Sequence, residues 1–285
     1  MQPEIRIDTD CALGSWNEDP DDSFAVLYNL LGPLAAQSIF SVGGNTSAEV
    51  AAENCKQICS WIDSSGEVIC GLNPVSTESS TETLKSSQSQ FPVQVLGLGP
   101  LTNLARWLSQ DAHLIQSAWC TLGHIKTSGS LPPFWPVEFN ATQDLKAAEF
   151  VFATSVELTV VPLDVAKLLR VSDEVWRRLG ESELGRKLQA QCWRWRMRNL
   201  LLKAHSHFPA WDLVSATLIE NPQLGKIEKG RLNFYKNGLV LCDPNYIAQT
   251  HHPREIAKIQ KSVRIVTEID CSGIWNSFFQ RLHSF

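Results

Sequence analysis

Strand-period alternation opens the chain. Ile5, Ile7 and Thr9 alternate with Arg6 and Asp8, and the run ends in a carboxylate at Asp10. Similar short runs rich in β-branched and apolar residues occur at 38–43, 67–70, 93–98, 118–122 and 158–163. Helical stretches lie between several of them, at 22–31, 47–62, 101–108 and 142–154. This exchange of strand and helix predicts an α/β fold, a mostly parallel sheet flanked by helices. The second half is more helical, from 173 to about 202 and from 211 to 219. It closes with β-like residues 231–242, a strand at 262–269 and an apolar helix around 274–282. Residues 76–89, rich in Ser and Thr, have no periodicity and read as a loop. No internal repeat or linker emerges, so a single domain over residues 1–285 is expected.

Composition narrows the classes of function. A chain of 285 residues can bury a full core, and 44% hydrophobic content is ordinary for a soluble protein. The net charge of −5 argues against a nucleic-acid partner. The one dense basic run, Trp193-Arg194-Trp195-Arg196-Met197-Arg198, reads as an amphipathic helix face with its arginines in water. The first residues pass straight into a strand pattern, and no apolar stretch reaches bilayer length. The eight cysteines include no C-x-x-C pair, which fits reduced thiols in a cytoplasmic protein.

The candidate chemistry sits where strands end. Asp8-Thr9-Asp10 closes the first strand, and Asp19-Pro20-Asp21-Asp22 opens the first helix. Carboxylates are favoured at a helix start by capping and by the macrodipole, so solvated caps are one reading. The other is a hard-oxygen site for a divalent cation such as Ca2+, shared between strand tip and helix start. Ligands of open parallel sheets bind beyond the strand carboxyl ends. There the chain places Gly43-Gly44-Asn45, Gly99-Pro100-Leu101-Thr102-Asn103 and Glu138-Phe139-Asn140, with Trp211-Asp212 later at another helix start. Several such polar outlets in one chain point to a shared site.

These motifs, in this order, resemble the inosine-uridine-type nucleoside hydrolases. The resemblance runs from Asp8-Thr9-Asp10 and Asp21-Asp22 through Ser41–Thr46, Val68–Gly71, Gly99–Ala105 and Val137–Asn140 to Val263–Val266, Ile269-Asp270 and Trp275. It implies a Ca2+ held by Asp10, Asp22, Asp212 and the main-chain oxygen of Thr102. It implies ribose contacts from Asp21, Asn45, Glu138 and Asn140, with Asp10 as the base that deprotonates the attacking water. The activity implied is hydrolysis of a ribonucleoside N-glycosidic bond, giving free base and ribose, in a homodimer or homotetramer. The alternative is a homologue that binds ribosides without turnover.

Three departures from the family pattern bear on substrate. The gap between Asp10 and Asp21-Asp22 is lengthened, bringing in Trp16, Glu18 and Asp19, whose acids are expected in water. Pro132 stands where the family carries an Asn, which predicts altered contacts on the ribose 5′ side. Trp211 stands where many members have a His that protonates the leaving base, as in the purine-specific branch. Trp211 is therefore assigned to catalysis and base stacking, with Trp16 or Trp135 as the opposing lid, and a purine or modified purine is the expected base.

Overall fold

The structure is a computed structural model that describes residues 4–33, 38–74, 92–125, 138–203, 206–244 and 257–285. Trp135 and Pro132 lie outside the described residues.

The predicted α/β architecture is present. Strands β1 (Glu4–Thr9), β2 (Ser38–Ser41), β3 (Glu67–Cys70), β4 (Val93–Gly97) and β5 (Ile115–Thr121) alternate with helices α1 (Asp22–Leu30), α2 (Ala48–Trp61) and α3 (Thr102–Asp111). Beyond them come β6 (His124–Ile125), α4 (Phe139–Gln143), α5 (Leu145–Ala153) and β7 (Glu157–Val161). The second half holds α6 (Leu163–Ala166), β8 (Arg170–Val171), α7 (Asp173–Leu179), α8 (Glu183–Lys203), β9 (Phe208–Pro209) and α9 (Trp211–Glu220). The chain ends in β10 (Gly225–Phe234), β11 (Val240–Pro244), β12 (Ile259–Ile269) and α10 (Cys271–Ser284).

Ten strands form one sheet in the order β3-β2-β1-β4-β5-β7-β12-β10-β11-β6. The first seven of that order pair in parallel, whereas β10 and β11 pair antiparallel. β1 is an interior strand, with Asp8 paired to Phe40 on one side and Gly97 on the other. Both faces are covered, so its residues from Ile5 to Thr9 are buried whatever their polarity. Two large apolar cores result among the described residues, beside a small cluster of Tyr235, Leu239 and Leu241. One packs α1, α9 and α10 around Phe24, Phe208, Trp275 and Phe278. The other packs α3 and α5 around Phe40, Trp107, Phe152 and Phe234.

The structure corrects several sequence expectations. Residues 142–154 break at Asp144, whose side chain caps α5 by accepting from the Ala147 N–H at 3.0 Å. The long helix expected from 173 stops at Gly180 and restarts as α8. β10 begins at Gly225, ahead of the expected residue 231. The basic run is not simply a solvated face: Arg196 is buried, pairs with Asp173 and lies 4.5 Å over the Trp176 ring. Six cysteines are buried, but Cys70 is exposed and Cys271 half-buried.

Helices α1 and α9 pack side by side, and both carry acids at their N-termini, Asp22 and Asp212. Their far ends are pinned by Arg281 of α10. Its guanidinium donates to Glu220 at 2.8 and 3.1 Å and to the Tyr28 carbonyl at 2.8 Å, and lies 3.6 Å over the Tyr28 ring. The Glu220 side chain is 3% exposed, so its loss would strand a largely buried cation. Glu220→Ala should cost about 3–5 kcal/mol in urea unfolding. A cost below about 1 kcal/mol would mark the pair as equivalent to an exposed one.

Candidate active site

The carboxyl edge of the parallel sheet gathers acids from separate elements. Asp10 follows β1, Asp21 and Asp22 begin α1, and Asp212 begins α9; all four are buried. One carboxylate oxygen from each of Asp21, Asp22 and Asp212 lies within 4.8 Å of the others. Asp10 stands beside them, and the negative charge acting most strongly on it is that of Asp22. Its Oδ2 accepts the Asn45 backbone N–H at 2.6 Å. That approach requires glycine at 44, because a Cβ there would collide with Asp10 Oδ2 and with Pro100. Asp21 Oδ2 accepts the Asp212 N–H at 3.1 Å, tying the start of α1 to the start of α9.

Asp8 and Asn103 brace the cluster from behind. The Asn103 amide donates to Asp8 at 2.7 Å and to the Ser41 carbonyl at 2.8 Å, and its oxygen accepts the Leu72 N–H at 2.9 Å. One amide thus fixes the exits of β1, β2 and β3. Sequence reasoning placed Asn103 in a motif without giving it this task.

Burial and mutual repulsion act on the acids together. Burial, then the Asp21 charge, pushes Asp22 up to about 8, against the hydroxyl bond from Thr9. Burial likewise raises Asp8 to about 8. Asp10, Asp21 and Asp212 are raised well above the ordinary carboxylate range, by burial first and by neighbouring carboxylates next.

Asp19 departs from expectation. Its Oδ1 is buried without a hydrogen-bond partner among the described residues, and burial lifts its carboxyl to about 7. The carboxylate faces the Trp211 indole and Asp21. The inserted loop returns because Gly14 is fastened to α8: its N–H donates to the Gln191 carbonyl at 3.1 Å and its carbonyl accepts from Arg194 at 2.9 Å. Trp16, on this loop, is exposed, and Trp211 is half-buried against the core.

The remaining candidates follow β2, β4 and β6 in the chain. Glu138 is buried, caps α4 and accepts the N–H groups of Asn140 and Ala141 at 3.2 and 2.5 Å. Burial raises it to about 7 in spite of those bonds. The Asn140 amide donates to the Leu98 carbonyl at 3.0 Å and to the Thr121 carbonyl at 3.1 Å. Asn45 is half-buried and its side chain reaches Asp22. Thr102 is buried in the first turn of α3, with its hydroxyl 3.0 Å from Asp144.

The residues present fit a hard divalent cation. The donors are oxygens throughout, Asp22 Oδ2 is buried without a partner among the described residues, and the main influences on Asp10, Asp21, Asp22 and Asp212 include no lysine or arginine. A cation supplies the counter-charge that such a cluster otherwise lacks.

Fold and site together define an α/β protein with an acidic, cation-type pocket at the carboxyl ends of its parallel strands. The chain belongs to the inosine-uridine preferring nucleoside hydrolase family, whose model matches residues 5–276. It is 25% identical over 220 residues to uridine nucleosidase 1 of Arabidopsis thaliana, covering 62% of this chain and 61% of that protein. A shorter match, 36% identical over 93 residues, is to a pyrimidine-specific ribonucleoside hydrolase, RihA, of Shewanella woodyi, covering 32% of this chain and 29% of the relative. Its fold is that of a purine-preferring ribonucleoside hydrolase from Gardnerella vaginalis, with a TM-score of 0.76 at 17% identity over 99% and 98% of the two chains.

The acid cluster makes stability depend on pH with a definite sign. A carboxyl raised above its ordinary 3.8 stabilises the native state fully at low pH, and that contribution is lost as pH rises through its folded value, about 7 for Asp19 and about 8 for Asp8 and Asp22. In chelator, the melting temperature should therefore fall by several degrees between about pH 5 and about pH 8.5. Millimolar Ca2+ should restore it at the higher pH and do little at the lower. A melting temperature in chelator that is flat or rising across this range would contradict the clustering.

Proposed function

We propose that the chain is a Ca2+-dependent N-ribohydrolase that cleaves purine or modified-purine ribonucleosides to free base and ribose. The observation that carries this reading is the convergence of Asp10, Asp21, Asp22 and Asp212, from β1, α1 and α9, at one buried point. Asp10, Asp22, Asp212 and the Thr102 main-chain oxygen would hold the cation. When bound, it supplies Lewis acidity that lowers the pKa of water and favours adjacent hydroxyls.

Asp10 is set to take a proton, its position fixed by the Asn45 N–H. As water adds to C1′ of the ribose, its proton passes to Asp10, and the glycosidic electron pair leaves with the base, which takes up a proton from solvent. Asp21, Asn45, Glu138 and Asn140 would surround the sugar, their negative charge and dipoles favouring the positive charge that develops on it. Trp211 would stack on the base. The names of the curated relatives point to uridine and other pyrimidine ribosides, so the purine preference rests on Trp211 and on its place beside Asp212. The reading includes a homodimer or homotetramer in the cytoplasm.

The primary test is incubation of the Ca2+-loaded protein with a panel of purine, modified-purine and pyrimidine ribonucleosides, assayed for free ribose. Release from purine ribosides supports the reading. Binding without release marks a riboside-binding homologue, and a pyrimidine-only profile overturns the base assignment. Asp10→Ala should lower turnover by about 10²–10⁴-fold, without loss of melting temperature in chelator, where it relieves a buried like-charge cluster. Turnover within tenfold of the unaltered protein would remove Asp10 from the mechanism.

Trp211 makes a separate expectation. Stacking is worth roughly 1–3 kcal/mol, so Trp211→Ala should slow purine riboside cleavage by about tenfold or more. A p-nitrophenyl riboside, whose leaving group needs no protonation, should be much less affected. Equal losses on the two substrates would reduce Trp211 to a structural role.

A further inference from the structure

The site divides into two electrostatic groups. The charges acting on Asp10, Asp21, Asp22 and Asp212 are chiefly one another's and that of Asp19. The charge acting on Glu138 is that of His124. His124 begins β6, just beyond the end of β5, and the chain reaches it through Gly123 at a φ of +79°. A side chain there would be strained, so glycine permits the turn that carries the histidine away from the line of β5.

His124 is 6% exposed. Its Nδ1 lies 3.7 Å from Asp164 Oδ2, while Lys167 reaches the other oxygen of Asp164 at 3.4 Å. This places the ring's Nδ1 edge toward the carboxylate. The opposite nitrogen, Nε2, is buried and has no hydrogen-bond partner among the described residues. A buried imidazole nitrogen without a partner is unusual and calls for one.

Thr121 joins the two groups: its side chain bonds Ser215 at 2.7 Å and Asp212, while its carbonyl accepts from Asn140, two residues after Glu138. A divalent cation favours the vicinal hydroxyls of a ribose, so the aspartate cluster marks the C1′, C2′ and C3′ edge of the ring. What remains is C4′ with its hydroxymethyl group, and the side of the site away from the aspartates is the Glu138–His124 side.

We propose that His124 is a specificity-determining residue, its Nε2 hydrogen-bonding the 5′-hydroxyl of the ribose beside Glu138 while Asp164 holds the ring. The ligand class follows: ribosides with a free 5′-hydroxyl, over 5′-deoxy ribosides. This takes the sugar from the N-ribohydrolase reading but does not require turnover.

The test compares inosine with 5′-deoxyinosine in steady-state kinetics, and ribose with 5-deoxyribose in calorimetric binding, all with Ca2+. His124→Ala should lower kcat/KM for inosine by about tenfold, mostly through KM, and change 5′-deoxyinosine by less than about twofold, the effect of one lost hydrogen bond. His124→Gln, which retains a polar group, should recover part of the loss. Equal losses on both nucleosides in both variants would overturn the proposal. If no nucleoside is turned over, the hydrolase reading fails and the sugars decide. A ribose preference that His124→Ala abolishes supports the contact; no preference, or no binding of either sugar by the unaltered protein, overturns it.

Discussion

Burying several carboxylates at one point is the constraint on which this structure depends. Each charge loses hydration, and each faces others of the same sign at short range, so the arrangement is unfavourable until protons or a cation compensate it. The fold accepts that cost at the carboxyl edge of its sheet, where β1 ends at Asp10 and two helices begin at Asp22 and Asp212. Helix N-termini soften the cost, because their free N–H groups and dipoles favour negative charge. Backbone donors do the same: Asn45 gives one to Asp10 and Asp212 gives one to Asp21.

Holding mutually repelling groups in place needs a rigid frame. Asn103 ties Asp8 to the exits of the neighbouring strands, and Arg281 locks the remote ends of α1 and α9 through Tyr28 and Glu220. These contacts touch no candidate ligand. They matter because a donor set for one small ion tolerates little displacement, and like charges released from such a frame would move apart.

The legible part of the sequence was what local pattern determines. Strand and helix alternation reports burial directly, so the parallel sheet and the ends of β1, β2 and β4 could be read to within a few residues. The acids at strand and helix ends were visible because only one sheet edge collects them. Less was legible where distant contacts decide. Asp19 was expected in water, since a longer loop carries no local sign that it folds back. Its return depends on Gly14 meeting Gln191 and Arg194, far along the chain. Arg196 was expected exposed for the same reason, its partners Asp173 and Trp176 lying on another helix. Single-residue breaks such as Asp144 are decided by capping competition, which periodicity averages away.

The folded-back loop also reaches Trp211. An indole beside an acidic pocket keeps rotational freedom unless its N–H is engaged, and a freely rotating ring loses entropy on stacking. Asp19 faces that N–H while the ring packs against the core, so the inserted loop bears on Trp211. The loop itself is fixed to α8 at Gly14. The insertion leaves the acid cluster assembled and engages the indole beside it.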